Sequence, residues 1–222
     1  MTIQLLRRNP HLYQEARRHT ADMNWKTLLV QLSGICGILL PLVFLGGLFL
    51  SIGQAPWFNW TDYAISDLGI RVPLFNYTLF IVGIILLIFT LGLYCSLYGE
   101  RAGPVVFALS SLYFMGVGLV PLPDPIHVDT SGLFFIAFPL GFFILGLQLY
   151  QKTNAFLRTM SRAALIFTVI SVCSPVFLLF YRGIAIPEMI ILVPGFLWCL
   201  RYGIHLVQHY HKTSSQGCLT ID

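Results

Sequence analysis

Apolar side chains fall into six long runs along this chain, and the short stretches between the runs hold most of its charges. Each run is close to the roughly 20 residues that a helix needs to cross about 30 Å of hydrocarbon. The runs are too long and too evenly apolar for the alternating strands of a membrane barrel. The pattern therefore predicts an all-α, polytopic integral membrane protein, a bundle of six transmembrane helices at 27–52, 74–98, 104–122, 131–150, 163–181 and 188–207.

The composition supports this interpretation. Hydrophobic residues make up 57% of the chain and charged residues only 10%, whereas soluble domains carry about 25% charged residues. The spans form one transmembrane domain over residues 26–210, followed by a flexible cytoplasmic tail at 211–222. Before them, residues 1–25 carry paired arginines on either side of Asn9 and Pro10. This segment either lies along the membrane surface as an amphipathic element or is only a basic flank.

The distribution of lysine and arginine predicts the orientation of the bundle. Eleven of these residues lie on the side of the N-terminus, and only Arg71 and Arg182 lie on the opposite side. By the positive-inside rule, both termini are cytoplasmic, and we expect a multi-pass protein of the plasma (inner) membrane of a prokaryote. The net charge of +4 is explained by contact with anionic lipid, so membrane lipids are the expected partners and nucleic acid is not.

The predicted outer side gathers ionisable side chains from three separate loops and the helix starts beside them. Asp129 can cap the fourth span, and Glu188 complements the dipole at the start of the last one. No cap obviously explains Asp67 or His127, which makes both candidates for function. If packing joins the three loops, one outer pocket holds Asp62, Asp67, Arg71, Asp124, His127, Asp129, Arg182 and Glu188.

Two local structures are expected around these residues. In the first outer loop, a short helical turn through 62–68 would end at Gly69 in a left-handed conformation. In the second outer loop, three prolines would hold Asp124 and His127 in an extended approach to the fourth span. Asp129, Thr130 or Ser131 would then cap that span.

A lipid headgroup pocket is the leading hypothesis for this outer site. Arginine side chains match phosphate oxygens with paired hydrogen bonds, so Arg71 and Arg182 would face a phosphate. Asp67 and His127 would orient them, or bind amine and hydroxyl groups of the ligand. Ser66, Asp124, Asp129 and Glu188 complete the candidate ligand-binding set. The alternative is a network of ion pairs that only locks the outer loops together.

Other functions use the same residues or none of them. In an intramembrane hydrolase or transferase, Asp67 and His127 would be catalytic acid and base, with Ser66 as a possible nucleophile. No cofactor is predicted, although His127 with two of Asp67, Asp129 and Glu188 would make a site for a divalent metal such as zinc or manganese. A small transporter or a structural subunit of a membrane complex would instead rely on the prolines within the spans and on a local similarity between the sequences after Ser33 and Ser131.

At the opposite end of the last span, Arg201, His205 and His209 recur at four-residue spacing and therefore share one helix face. Such a face can bind a metal or an inner-leaflet phosphate. It can also be a helix end whose basic side chains reach toward the headgroups.

Two stretches, "YAISDLGIRVPLFNYTLFIVGIILL" and "GLVPLPDPIHVDTSGLFFIAFPLGFFILGLQLY", resemble the prokaryotic six-helix family catalogued as domain of unknown function 998. The first holds an S-x-L-G element and an asparagine that opens the second span. The second holds a proline-rich loop with a histidine before an aromatic span. The matching positions are Ser66, Leu68, Gly69, Asn76, His127, Phe134 and Phe135.

The same features are more distantly similar to the eukaryotic DRAM and GPI-lipid-remodelling membrane proteins. The resemblance implies six helices, a polar outer site shared by the first two outer loops, and a role in lipid handling. It implies no particular reaction.

Overall fold

The computed structural model describes residues 10–97 and 99–214, and the side chains of 25, 27–97 and 99–208 among them. These residues contain six long helices and no strand, and all six helices are long and apolar enough to cross a membrane. The predicted all-α bundle of six membrane helices is therefore confirmed. The helices are α1 (Pro10–Gly53), α2 (Pro73–Ser96), α3 (Ala102–Leu119), α4 (Pro125–Tyr150), α5 (Ala155–Cys173) and α6 (Ala185–Ser214).

Each helix packs against the next one in the chain, and α6 returns to pack against α1, which closes a ring. The contact between α5 and α6 is the sparsest in this ring. We call the end with loops 97–101 and 151–154 the terminal end, because α1 starts and α6 finishes there. The opposite end, with loops 54–72, 120–124 and 180–184, is the lid end. Which end faces the cytoplasm stays a prediction.

Aromatic side chains fill the middle of the bundle at its lid-end half. Phe196 of α6 contacts the rings of Phe44 in α1, Phe114 in α3 and Phe138 in α4, with centroids 5.2, 6.2 and 6.0 Å apart. Edge-to-face pairs of this kind stabilise packing beyond the area that they bury. All four rings are buried. The helix that carries Glu188 is therefore held firmly against three others.

Helices α1 and α6 approach closely at a pair of glycines. A side-chain carbon added to Gly203 would lie 2.5 Å from the Gly34 carbonyl oxygen, and one added to Gly34 would lie 3.0 Å from that of Gly203. Small residues at such a crossing allow two membrane helices to pack backbone against backbone. This contact joins the first helix of the ring to the last one.

Two local predictions about the lid end are wrong. Helix α4 begins at Pro125, so His127 lies in its first turn and not in an extended loop. Asp124 caps this helix by accepting a hydrogen bond from the Ile126 N–H at 2.9 Å, and proline is favourable at the first helical position. Gly69 lies inside a four-residue helix, Leu68–Arg71, and has no left-handed conformation, since Gly99 is the one described residue with a positive φ.

The ends of the chain differ from the predicted segments. Residues 10–25 belong to α1, which runs without a break to Gly53. A position of this segment on the membrane surface stays a prediction. Residues 211–214 of the predicted tail belong to α6, and residues 1–9 and 215–222 lie outside the described residues. Beyond α5 the chain continues as a 3-10 helix, Ser174–Leu179, where Pro175 cannot extend the α-helical hydrogen bonds.

Candidate functional site

The loop between α1 and α2 folds across the lid end and is attached to the start of α6. We call residues 54–67 the lid. The Gly183 N–H donates to the Thr61 carbonyl at 2.7 Å, and the Ala185 N–H donates to the Tyr63 carbonyl at 3.0 Å. A side-chain carbon on Gly183 would lie 2.3 Å from the Tyr63 nitrogen, so this close approach requires glycine. The lid is thus held by backbone contacts that do not depend on its charged side chains.

Glu188 joins α6 to the lid from below. Its side chain is 5% exposed, and its Oε2 accepts a hydrogen bond from the Ile65 N–H at 2.7 Å. The Asp67 carboxylate is close enough to act on Glu188 electrostatically, and two like charges repel. A carboxylate taken out of water is costly unless it is well hydrogen-bonded. Among the described residues, one backbone donor serves a group that has about four acceptor positions.

A small cavity lies beneath the lid, beside Glu188. Its volume is about 20 Å³, and roughly 10–15 Å³ is enough for one water molecule. Most of its wall is apolar and comes from α2, α3, α4 and α6. Its polar wall residues are Ser66 of the lid, Ser131 of α4 and Glu188. This arrangement can hold one hydroxyl- or amine-sized group against a carboxylate in apolar surroundings.

His127 lies one helical turn before Ser131, on the same face of α4. The ring is 2% exposed, and its Nδ1 lies 2.7 Å from the Val120 carbonyl oxygen. If Nδ1 carries the proton that this contact requires, Nε2 is an acceptor. Nε2 is buried and has no hydrogen-bond partner among the described residues. His127 Nε2 is therefore a second buried polar group with unfilled hydrogen-bonding capacity, and its residue lies one turn from Ser131 on the cavity wall.

The three aspartates of the candidate set lie outside the cavity wall. Asp67 is part of the lid, and its Oδ2 accepts a hydrogen bond from the Ala64 N–H at 2.8 Å. Asp124 caps α4, and Asp129 is exposed on its second turn. The prediction that Asp129, Thr130 or Ser131 caps the fourth helix is wrong, because that helix starts earlier. The Asp67 carboxylate caps the start of the 3-10 helix Ile65–Asp67, a role that was not evident from the sequence.

Arg71 and Arg182 are both exposed at the lid end. The Arg71 guanidinium lies 5.2 Å from the centroid of the Trp57 ring, a cation–π geometry. Trp57 in turn contacts Tyr63, in a cluster of lid aromatics that also includes Phe58 and Trp60. Within the described side chains the only ion pair is Lys152 with Glu100, at the terminal end. The described side chains at the lid end therefore contain no ion pair that would support the alternative of an ion-pair network.

Two other predicted arrangements do not form among the described residues. No three His, Cys, Asp or Glu side chains gather there as a metal site would require. His127 and Asp67 make no ion pair, and each directs its described hydrogen bond to a backbone group. Ser66 lies on the cavity wall, but His127 does not contribute to that wall.

The basic face of α6 is partly packed. The Arg201 guanidinium lies 5.0 Å from the centroid of the Phe156 ring, and the buried ring of His205 stacks on the same phenylalanine at 3.6 Å. The side chain of His209 lies outside the described residues. Arg201 and His205 therefore share one face of α6, as their spacing predicts, and this face packs against Phe156 of α5.

Ser131 lines the cavity but was not predicted as a site residue. It lies four residues after His127, and this spacing places both on one helix face once α4 is known to start at Pro125. Asn76 was noted only as part of a motif. Its Nδ2 donates to the Gly69 carbonyl at 2.8 Å and so ties the Leu68–Arg71 helix to α2.

A family model described as "Protein of unknown function (DUF998)" matches residues 36–205, which contain all the lid-end residues described above. No curated protein and no solved structure matches the chain.

Proposed function

Because this multi-pass membrane protein belongs to the DUF998 family, whose description assigns no reaction, we propose a function from its own lid end. The protein binds the polar headgroup of a membrane lipid between the lid and the end of the bundle. One observation carries the proposal. Glu188 is buried beside a cavity with a single described hydrogen bond, and that bond comes from the lid itself.

The buried polar groups indicate the chemistry of the ligand. Glu188 can accept further hydrogen bonds, which favours a ligand with hydroxyl or ammonium groups. On the cavity wall, the Ser66 hydroxyl can donate or accept, and the Ser131 hydroxyl, which donates to the Val128 carbonyl at 3.0 Å, can accept. A headgroup that presents several such groups would complete the hydrogen bonding of Glu188 when it enters.

The rim of the lid end suits the phosphate of the same lipid. Arg71 and Arg182 are exposed there and form no ion pair within the described side chains. Arginine binds phosphate oxygens through paired N–H groups. The aromatic cluster of the lid is typical of side chains at the level of lipid headgroups. Cations and aromatics at this height therefore match a phospholipid better than a soluble ligand.

The size of the cavity means that the lid has to move for a headgroup to enter. Three described hydrogen bonds attach the lid to α6, from Gly183, Ala185 and Ile65. Each hydrogen bond contributes about 0.5–1.5 kcal/mol net. Opening the lid therefore costs a few kcal/mol, which new contacts to a headgroup can offset.

Native mass spectrometry of the purified protein tests this proposal. Short-chain phosphatidylethanolamine and phosphatidylglycerol are added, and the bound fraction is measured for wild type, Glu188→Gln and the double variant Arg71→Ala/Arg182→Ala. We expect both variants to bind at least fivefold more weakly. Asp129→Asn is the matched control, since it removes an exposed carboxylate at the same end and should bind as wild type does. Binding that is unchanged in both variants would contradict the proposal.

Catalysis is the second candidate, and the buried, unpartnered Nε2 of His127 favours it. His127 would act as a base toward a lipid held beside Ser131. Asp67 could then be the acid only after leaving the Ala64 N–H that it now binds. His127→Gln would abolish turnover of a bound lipid but leave its binding in place, whereas a binding protein would release unchanged lipid in both forms.

A further inference from the structure

A long groove lies on the lipid-facing side of the bundle, where α5 and α6 make their sparse contact. Its volume is about 690 Å³, within the roughly 300–1,000 Å³ of ordinary ligand pockets. It opens at the terminal half of the bundle, away from the lid. Nothing in the lid-end site uses any of its residues.

The α5 wall of the groove extends from Ala155 to Ile170. Fifteen residues of helix rise about 22 Å, and one leaflet contributes about 15 Å of hydrocarbon. The groove therefore covers the depth of one leaflet. Apart from Thr159 and Arg201, its lining residues are apolar or aromatic. Such a surface matches an acyl chain that lies along the helix.

Arg201 gives this groove a charge at its terminal end. Its guanidinium is exposed, rests over Phe156 and has no ion pair among the described side chains. The nearby basic residues of α5, Arg158 and Arg162, are exposed and also unpaired in that part of the chain. The described carboxylate at this end, Glu100, is already paired with Lys152. The end of the groove is thus positively charged and available to an anion.

We propose that the groove between α5 and α6 binds one anionic phospholipid, with an acyl chain along α5 and the phosphate on Arg201. Basic pockets between membrane helices are typical sites for anionic headgroups. The stack of His205 on Phe156 fixes the ring beneath Arg201 and so positions the guanidinium. This site is independent of the headgroup site at the lid end.

Trp198 on the groove wall provides a direct reporter. Its Nε1 donates to the Met160 carbonyl at 2.9 Å, and its ring stacks on Tyr202, so the indole stays beside the groove. The protein is reconstituted in vesicles of phosphatidylcholine to which chain-brominated phosphatidylglycerol or chain-brominated phosphatidylcholine is added. Bromine quenches nearby tryptophan, and the difference between wild type and Trp198→Phe isolates the signal of Trp198.

We expect brominated phosphatidylglycerol to reach half-maximal quenching at about fivefold lower content than brominated phosphatidylcholine, the ratio that one basic residue contributes near a membrane. Arg201→Ala should reduce this ratio to about one. Arg158→Ala is the matched control, because it removes an exposed arginine of α5, the other wall helix, that does not line the groove. Ala163→Phe should weaken quenching by both lipids, since its ring would occupy the groove.

A preference that survives in Arg201→Ala would overturn the assignment of the phosphate. Quenching that is unaffected by Ala163→Phe would overturn the assignment of the acyl chain to the groove. The lid-end variants Glu188→Gln and Arg71→Ala/Arg182→Ala should leave Trp198 quenching unchanged. A failure of this inference is therefore distinguishable from a failure of the proposed function at the lid.

Discussion

The lid end and the α5–α6 groove differ in how tightly the helices around them pack. At the lid end, a cavity of about 20 Å³ lies beside a buried carboxylate and has room for about one water molecule. The groove measures about 690 Å³, opens sideways toward lipid and has an exposed arginine at one end. A polar site of this size must widen before a headgroup can bind, whereas the open apolar groove already has the volume for a lipid chain.

The difference follows from how the helices pack. In the most apolar 18 residues of the α5 span 22% are buried, compared with 39–56% in the corresponding stretches of the other five spans. The phenylalanines of α4 and Phe196 of α6 fill the space under the lid, while the α5–α6 contact leaves a gap. Substitutions at the lid end should therefore disturb folding more than substitutions in the groove.

The largest expected effect is that of Gly183→Ala. The added carbon would meet the Tyr63 backbone at 2.3 Å, and backbone cannot move aside as a side chain can. Overpacking of this kind costs about 3 kcal/mol at its upper range. Unfolding by SDS titration in mixed micelles measures it. The control is Gly132→Ala, where nothing lies within 4 Å of an added carbon, and an equal loss in both would contradict the lid contact.

Glu188→Ala should have the next largest effect, a loss of about 2 kcal/mol, because it leaves the Ile65 N–H buried without its acceptor. Glu188→Gln keeps an acceptor oxygen and removes the charge, so it should lose less than half as much. The same SDS titration compares the two. If Gln proves as destabilising as Ala, the charge and not the hydrogen bond holds the lid.

Asn76→Ala should cost about 1 kcal/mol, the usual contribution of one hydrogen bond. The lost bond joins its Nδ2 to the Gly69 carbonyl and anchors the helix that follows the lid. Hydrogen exchange of residues 65–71 should become faster while that of α3 stays unchanged. Equal exchange in the variant and wild type would show that Asn76 does not anchor this segment.

The smallest effect is expected in the groove. Ala163→Phe should change the free energy of unfolding by no more than about 0.5 kcal/mol, because Ala163 is exposed to lipid and the groove has room for the ring. A loss as large as that of Gly183→Ala would mean that α5 and α6 pack more tightly than the structure shows. The two ends would then no longer differ.

The sequence predicted the six helices because the length of an apolar run is a local property. It did not predict the start of α4, because Asp124 and Pro125 together make a favourable helix start that the three prolines obscured. Knowing that start would have placed Ser131 with His127 on one face.

The partners of the site residues could not be predicted in the same way. Glu188 receives its hydrogen bond from Ile65, 123 residues earlier, and only the folding of the lid onto α6 brings them together. The candidate set contained Ser66 and Glu188, which line the cavity, together with arginines and aspartates that do not line it. Charge alone could not separate the residues of the cavity wall from the other charged residues at the lid end.

The most direct test is whether Ser66 is shielded until the lid opens. Ser66→Cys, in a background without the native cysteines, is labelled by a charged maleimide in vesicles, with Asp129→Cys as the exposed reference. We predict labelling at least tenfold slower than the reference, slower still with short-chain phosphatidylethanolamine, and accelerated by Gly183→Ala. Labelling of Ser66→Cys as fast as the reference, with no response to the lipid, would contradict a lid over a lipid site.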